Sequence, residues 1–170
     1  LADGEPTAPE TETVNSEQDL KEALEKGGDI KLGDNITVSG NIEIKNSITL
    51  DLNGYDLEAS GVEASGEGTK LIIKDSTAAK LPTVSDDFEV NYTSGTIKVS
   101  SQVLAKNGAE IELQNGAVES SYLGLFAEGD KTGASTVNSK VTVTGGYVIA
   151  QEFAVTAQGK GAEIDFVNGV

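Results

Sequence analysis

Short runs of alternating apolar and polar residues follow one another closely after Asp29. The first four are Ile30–Leu32, Ile36–Val38, Ile42–Ile44 and Ile48–Leu52. An alternation with a period of two predicts β-strands that bury one face. The runs lie closer together than the strands of a sandwich, which return every ~8–12 residues. Short strands joined by tight corners, three to a coil, therefore favour a solenoid.

An internal repeat supports the solenoid. The segment Ile111–Asp130 aligns without gaps with Val141–Lys160. The pairs that keep their residue type are Ile111/Val141, Leu113/Val143, Gly116/Gly146, Val118/Val148, Leu123/Phe153, Leu125/Val155, Ala127/Ala157 and Gly129/Gly159. An earlier copy begins at Gly95, and its matches are Ile97/Val118, Leu104/Leu125 and Asn107-Gly108/Glu128-Gly129. A further short repeat relates residues 108–117 to residues 161–170. Each repeat therefore predicts one coil that buries its apolar residues against its neighbours.

Four glycines are equivalent corners of these repeats, namely Gly95, Gly116, Gly146 and Gly169. The longest coil contains an insertion at 129–139. The register predicts inward-facing and outward-facing positions. The inward set is Ile97, Val118, Val148, Leu104, Leu125 and Val155, and the outward set is Thr96, Ala117, Tyr147, Tyr122 and Phe126.

The beginning of the chain has a different character. Residues 1–13 hold two of the three prolines and no apolar periodicity, which predicts a flexible acidic arm or linker. A helix is predicted over 16–26, since Ser16 suits an N-cap, Leu20 and Leu24 share a face, and Gly27 suits a C-cap. The domain itself is assigned to 14–170, with coils over 29–170.

Two parts of this domain fit the repeat less well. The stretch 61–95 shows one strand, 70–74, followed by an irregular excursion. The helix is expected to cover the first coil, whereas the coil that ends at Val170 is expected to stay uncapped, with an open sheet edge. We therefore predict an all-β, right-handed parallel β-helix of about five to six coils with an N-terminal capping α-helix.

The amino-acid composition limits the kinds of catalytic and metal-binding site that the chain can form. The chain of 170 residues has no Cys, His, Met or Trp, and its twelve Lys account for the whole Lys+Arg count of 12. Without His the usual general base near neutral pH is missing, and without Cys there is neither a disulfide nor a thiol nucleophile. We therefore expect no catalytic residue, no metal site and no cofactor.

Charge and hydrophobicity limit the partners. A formal net charge of −16 disfavours nucleic acid, because phosphates would be repelled. No apolar run is long enough to span a membrane, and the chain opens at Leu1 instead of Met, which suggests that an upstream segment was removed or left out.

The run SEQDLKEALEKGGDIKLGDNITVSGNIEIKNSITLDLNGYDLEA, followed by LIIKDST, resembles the start of parallel β-helix repeat proteins of the pectate-lyase-like superfamily. The resemblance covers about 14–75 well and the later coils by pattern. It implies a capping helix followed by stacked coils. The superfamily includes polysaccharide lyases and hydrolases, bacterial surface and adhesion proteins, and phage fibres or decorations.

Two clusters are candidates for a site. Asp86, Asp87 and Glu89 form the densest acidic group of the domain, for which a solvated loop is the simpler interpretation. Tyr122, Phe126 and Tyr147 are predicted to form a small aromatic patch that could hold a carbohydrate or host-surface ligand, unless the 129–139 insertion covers it.

The leading hypothesis is a non-catalytic structural or adhesive module, extracellular or surface-exposed on a bacterial envelope or a virus particle. Attachment would run through the N-terminal arm, and the open C-terminal coil could support a homo-oligomer. The alternative is a carbohydrate-active enzyme, a polysaccharide lyase or glycoside hydrolase acting on an acidic polysaccharide. A passive spacer that carries another domain beyond Val170 is a third interpretation.

Overall fold

Three parallel sheets form the body of the molecule. The structure, a computed structural model, describes residues 10–87, 89–130 and 137–170. Sheet 1 contains, in spatial order, β1 (Glu12–Val14), β2 (Gly28–Leu32), β5 (Ile48–Asp51), β8 (Lys70–Lys74), β13 (Glu110–Leu113), β16 (Ser139–Val143) and β19 (Ala162–Phe166). Sheet 2 contains β3 (Ile36–Thr37), β6 (Leu57–Ala59), β11 (Thr96–Val99), β14 (Ala117–Ser120) and β17 (Tyr147–Ala150). Sheet 3 contains β4 (Asn41–Ile44), β7 (Gly61–Ser65), β12 (Val103–Lys106), β15 (Leu123–Glu128) and β18 (Phe153–Gln158).

The chain visits these sheets in a fixed order. From β2 onward it passes through sheet 1, sheet 2 and sheet 3 and then returns to sheet 1, and each strand pairs in parallel with the strand one turn away. This mostly β, parallel arrangement is compatible with a β-solenoid. The four early strands predicted from alternation are present, and their inward residues are buried, as the pattern required.

One continuous hydrophobic core runs through the stack. It extends from Val14 to Val148 and contains columns of side chains from equivalent strand positions. One core column on sheet 1 is Ile48, Leu71, Ile111 and Val141, and Ile164 continues this column on the last strand, outside the core. Aliphatic residues fill these columns because each must pack between the coils on either side of it.

Most of the predicted register is confirmed. Ile97, Val118 and Val148 lie in one column, as do the pairs that relate β13 to β16 and β15 to β18. The glycine corners are also stacked. The amide N of the residue after each corner donates to the carbonyl of the preceding one, from Ala117 to Gly95 (3.1 Å), from Tyr147 to Gly116 (3.0 Å) and from Val170 to Gly146 (3.1 Å).

The match of Leu104 with Leu125 is wrong by one residue. Val103 pairs with Leu125 in the core, and Leu104 pairs with Phe126 on the outer face of sheet 3. The same shift sets Lys106 opposite Glu128. The physical reason lies at the preceding corner. The corner between β14 and β15 is not the same length as the corner between β11 and β12, so an ungapped alignment loses the register there.

The predicted helix is present as α1, Glu17–Lys26. Ser16 is its N-cap, since its Oγ accepts a hydrogen bond from the amide of Asp19 at 3.2 Å. Leu20 and Ala23 are buried in the core. Within the predicted 1–13 arm, Glu12 and Thr13 instead belong to β1, which pairs with β2. The rest of the predicted arm, up to Pro9, lies outside the described residues.

The stretch 61–95 holds more structure than predicted. The strand at 70–74 is confirmed as β8, and β7 precedes it. Strand β7 was not predicted from the sequence, because this strand contains two small residues, Gly61 and Ala64, and few apolar side chains. The excursion after β8 contains a short antiparallel pair, β9 (Thr83–Val84) and β10 (Val90–Asn91), whose connection holds the exposed Asp86 and Asp87.

The last coil is much more exposed than the coils before it. Phe153 is 60% exposed, Phe166 53% and Ile164 40%. Among residues 10–87, 89–130 and 137–170, no strand pairs with the outer edges of β17, β18 and β19. In the same ranges, no helix is long and apolar enough to cross a membrane.

Candidate functional site

A groove of about 400 Å³ crosses the outer face of sheet 2. Its floor is a column of outward side chains, Glu58 on β6, Lys98 on β11, Glu119 on β14 and Ile149 on β17. Side chains alternate between the faces of a strand, so the inward column of Ile97 and its partners fixes the outward position of these neighbours. The register thus builds the groove from four separate coils.

Electrostatics within the groove centre on Lys98. Its Nζ lies 2.7 Å from Oδ2 of Asp56, and that hydrogen bond is the main reason why the pKa of Lys98 is raised above its ordinary value. The nearby carboxylates of Glu119 and Glu58 raise this pKa further. Asp56 is itself held in place, because its Oδ1 accepts from the amide of Thr96 at 3.0 Å. Two carboxylates, those of Glu58 and Glu119, therefore line the groove beside Lys98, and a third, that of Asp56, bonds the Lys98 ammonium group without itself lining the groove.

Serine hydroxyls line the corner end of the groove. Ser100, Ser120 and Ser121 lie there together with Gln151. Ser120 is buried, and its Oγ donates to the carbonyl of Ser101 at 2.8 Å. Carboxylates accept hydrogen bonds, lysine donates them, and hydroxyls do both. With Ile149 47% exposed at one end, the groove can make both polar and apolar contacts with a ligand.

The structure does not bring the three predicted patch residues onto one face. Tyr122 lies at the corner between β14 and β15 and is 51% exposed. Phe126 is on β15 of sheet 3, where it is buried with Leu104 and Leu123 in a cluster separate from the main core. Tyr147 begins β17 on sheet 2 and is half-buried. Tyr122 follows the groove residue Ser121 directly in the chain, and Tyr147 lies two residues before Ile149 on the same outer face of sheet 2.

Sequence reasoning missed the groove residues although the signal was present. The register correctly identified Ile97, Val118 and Val148 as an inward column. Since neighbouring residues face opposite sides, the next residue in each strand had to form an outward column. That column is Lys98, Glu119 and Ile149.

A second groove, of about 460 Å³, lies between α1 and the edge strand β4. Leu20, Leu24, Val38 and Ile42 form its apolar part, and charged residues of α1 and β4 surround it. Hydrogen bonds tie the helix to the sheets at both ends of this groove. Nδ2 of Asn46 donates to the carbonyl of Glu25 at 2.8 Å. The amide of Ser39 donates to Oε1 of Glu17 at 3.3 Å.

Asp75 is a buried carboxylate at the corner that follows β8. Burial by itself raises the pKa of Asp75, but hydrogen bonds from Thr77, Gly95 and Gly54 outweigh burial and leave the pKa lowered. The Oγ1 of Thr77 donates to it at 2.7 Å. Because every bond satisfies the ionised form within the fold, the contacts of Asp75 are those of a structural anchor.

Within the described ranges, no group of three or more Asp or Glu side chains is arranged to hold a metal ion. No protein-family model, no curated protein and no solved structure matches this chain.

Proposed function

We propose that the three sheets form a right-handed parallel β-helix of about five to six coils, with α1 as its N-terminal cap. The repeated passage through sheets 1, 2 and 3 supports the coil assignment. The right-handed sense follows from the strong preference of parallel crossover connections. The burial of Leu20 and Ala23 and the two hydrogen-bonded ends of α1 support its role as a cap.

We infer that this β-helix is a non-catalytic structural or adhesive module on a bacterial envelope or a virus particle, attached through its N-terminal arm. The single observation that carries this proposal is the continuous core from Val14 to Val148, which makes the stack one stiff body. The seven strands of sheet 1 span about 29 Å at about 4.8 Å per strand. Such a body can hold a ligand-binding face away from the surface that bears it.

The groove on sheet 2 is the surface that we assign to ligand binding, and a carbohydrate is the class of ligand that it suits. Hydroxyl groups of a sugar can donate to Glu58 and Glu119 and accept from Lys98, Ser100 and Ser121. The exposed Ile149 offers an apolar contact for a ring face. The excess of carboxylates favours neutral or cationic sugars over uronates.

The display hypothesis is tested by locating the native protein. Antibodies against the folded chain, used in immunogold electron microscopy of the source particles or cells, should label the envelope or the virion. A protein recovered only as a freely diffusing monomer, with no label on any surface, would overturn the proposal.

Ligand binding is tested on a glycan array with the purified chain. Glu119→Gln should weaken binding to a retained glycan by about tenfold, as expected when one charged hydrogen bond is lost. Glu110→Gln is the matched control, because Glu110 is an exposed carboxylate on sheet 1, away from the groove. Reducing-end and unsaturated-product assays on the same glycans, with and without calcium, complete the test. Turnover in either assay would replace the adhesive function with catalysis.

A further inference from the structure

Asn-Gly dipeptides occur four times in this chain, at Asn53, Asn107, Asn115 and Asn168. Asn-Gly is chemically labile, because the small glycine lets its own backbone nitrogen approach the asparagine side chain. The reaction requires a free glycine N–H and an asparagine side chain that can rotate. A folded structure can therefore protect one site and leave another open.

Two of the four sites are held by several hydrogen bonds. At Asn53, Nδ2 donates to the carbonyl of Leu32 at 3.0 Å, and the amide of Gly54 donates to the Asp75 carboxylate. At Asn115, Nδ2 donates to the carbonyl of Asp75 at 2.7 Å, and Oδ1 accepts from the amide of Asp75 at 2.8 Å. Both side chains are therefore fixed within the stacked corners.

The glycine nitrogens that follow Asn115 and Asn107 also donate hydrogen bonds. The amide of Gly116, which follows Asn115, donates to the Tyr92 hydroxyl at 2.9 Å. The amide of Gly108, which follows Asn107, donates to Oγ of Ser139 at 3.1 Å, and this bond is buried. Asn107 is exposed, so its protection rests mainly on the Gly108 bond and on a contact of its Nδ2 with Ser65 at 3.0 Å.

Asn168 differs from the other three. Its side chain is exposed and has no hydrogen-bond partner among the described residues. The amide of Gly169 also donates to no acceptor among the residues that the structure describes. The flanking backbone is held by main-chain bonds: the amides of Val167 and Asn168 donate to Val143, the amide of Val170 donates to Gly146, and the carbonyl of Val170 accepts from Val148.

We propose that Asn168-Gly169 is a site of spontaneous, structure-selected deamidation, and that the fold protects the other three Asn-Gly sites. The Gly169 nitrogen attacks Cγ of Asn168, and its proton passes to the side-chain nitrogen, which leaves as ammonia. Water then opens the resulting succinimide at either carbonyl. The products are aspartate, with one more negative charge, and isoaspartate, with one more methylene in the backbone.

Isoaspartate at this position changes the last corner. Val170 makes two ladder bonds, since its amide donates to Gly146 at 3.1 Å and its carbonyl accepts from Val148 at 2.8 Å. A longer backbone between Asn168 and Gly169 moves Val170 out of register with both partners. Modification should therefore release the Val148 amide, which hydrogen exchange can detect.

The test is to incubate the intact chain at mildly alkaline pH in ¹⁸O-labelled water and to quantify the label at each site by peptide mass spectrometry. Asn168 should react at least about tenfold faster than the other three, a ratio that corresponds to about 1.4 kcal/mol of protection. In denaturant the four rates should converge, because the dipeptide is the same. Similar rates at all four sites of the folded chain would overturn the proposal.

A matched variant tests the protective hydrogen bond directly. Ser139→Ala removes the acceptor of the Gly108 amide and leaves Asn168 untouched. The rate at Asn107 should rise severalfold while the rate at Asn168 stays unchanged. No rise at Asn107 in a variant that still shows the native circular dichroism spectrum would contradict hydrogen-bond protection. Asn168→Gln should abolish the fast phase, which identifies its source.

Discussion

Strands β13 and β19 occupy equivalent positions in sheet 1, yet only β13 lies between two neighbouring strands. Ile111 on β13 is 1% exposed, whereas Ile164 in the same column is 40% exposed. The two side chains are chemically identical and face the same way. The difference shows that a coil obtains its burial from the coils on both sides of it, and not from its own sequence.

The corners show the same contrast. The Gly116 corner is braced by the Tyr92 hydroxyl and by the Asn115 amide, which bonds back to Asp75. At the Gly169 corner, the hydrogen bonds among the described residues are all main-chain bonds, to Val143, Gly146 and Val148. Polar side chains therefore reinforce the middle of the stack, and the last corner depends on main-chain bonds.

The largest expected effect comes from truncating the two isoleucines. Ile111→Ala should lower the free energy of unfolding by about 2–5 kcal/mol, because it leaves a cavity between packed coils. Ile164→Ala should cost less than about 1 kcal/mol, since that side chain already contacts solvent. Urea denaturation followed by circular dichroism measures both values. Equal losses would mean that the last coil is covered in solution.

Asp75 gives the next largest effect, because it anchors the braced corner. Asp75→Asn should lower the free energy of unfolding by about 1.5–3 kcal/mol, as expected when hydrogen bonds to a buried charge are lost. Asp86→Asn is the matched control on the exposed turn and should change stability by less than about 0.5 kcal/mol. A loss in the control as large as that at Asp75 would rule out the anchor.

The same carboxyl group also predicts a pH dependence. Its pKa in the folded state lies below the usual 3.8, so its contribution is fully present above that pH. The contribution should decline as the pH falls from about 3.8 toward the lowered folded-state pKa. Denaturation curves of the parent and Asp75→Asn should therefore converge at low pH. A difference that stays constant down to strong acid would contradict ionisation as its source.

Tyr92 contributes less, because it braces the corner through a single neutral hydroxyl. Tyr92→Phe removes a donor to the carbonyl of Ala79 (2.6 Å) and an acceptor for the amide of Gly116 (2.9 Å). We expect a loss of about 1 kcal/mol and faster hydrogen exchange at Gly116, with exchange at Gly146 less affected. Unchanged exchange at Gly116 would show that the Tyr92 hydroxyl adds no stability to the main-chain hydrogen bonds of this corner.

Tyr92 has a pH signature opposite to that of Asp75. Burial raises its pKa above the ordinary 10.0, and the charge of Asp75 raises it further. The stabilisation by the neutral hydroxyl is therefore complete below pH 10.0 and is lost as the pH rises through the folded-state pKa. The parent should lose stability at high pH more steeply than Tyr92→Phe, which equilibrium unfolding at several alkaline pH values would show.

Local patterns predicted much of this fold, since period-two alternation and stacked glycines are encoded in adjacent residues. Ile97, Val118 and Val148 were placed in one column from sequence alone, and the structure agrees. The error at Leu104 arose where one corner differs in length from the next, because a single residue reverses the face of every side chain after it. Alternation fixes faces within a strand but not across a corner of unknown length.

The groove and the braced corner depend on contacts between coils. Asp75 touches Gly95 and Asn115, which lie 20 and 40 residues away in the chain. A local sequence pattern cannot predict such contacts, because they depend on which corners stack on one another. A binding patch was predicted from the aromatic residues of the sequence. The structure instead places Phe126 in a buried cluster and leaves Tyr122 beside the groove.

The smallest expected effect concerns the ion pairs on the outer faces, where the two regions should behave alike. Lys98–Asp56 at 2.7 Å lies in the middle of the stack, and Lys140–Asp165 at 3.7 Å involves the last strand. All four side chains are at least one-third exposed, so solvent and salt screen both pairs.

Asp56→Asn and Asp165→Asn should each cost less than about 1 kcal/mol, with a smaller loss at high salt. Urea denaturation at low and high ionic strength measures both values. Asp56 also accepts a hydrogen bond from the amide of Thr96. The salt-independent part of the loss in unfolding free energy should therefore be larger for Asp56→Asn than for Asp165→Asn. A loss above about 2 kcal/mol for Asp56→Asn, unaffected by salt, would instead mean that the groove face is shielded from solvent in the protein as it exists in solution.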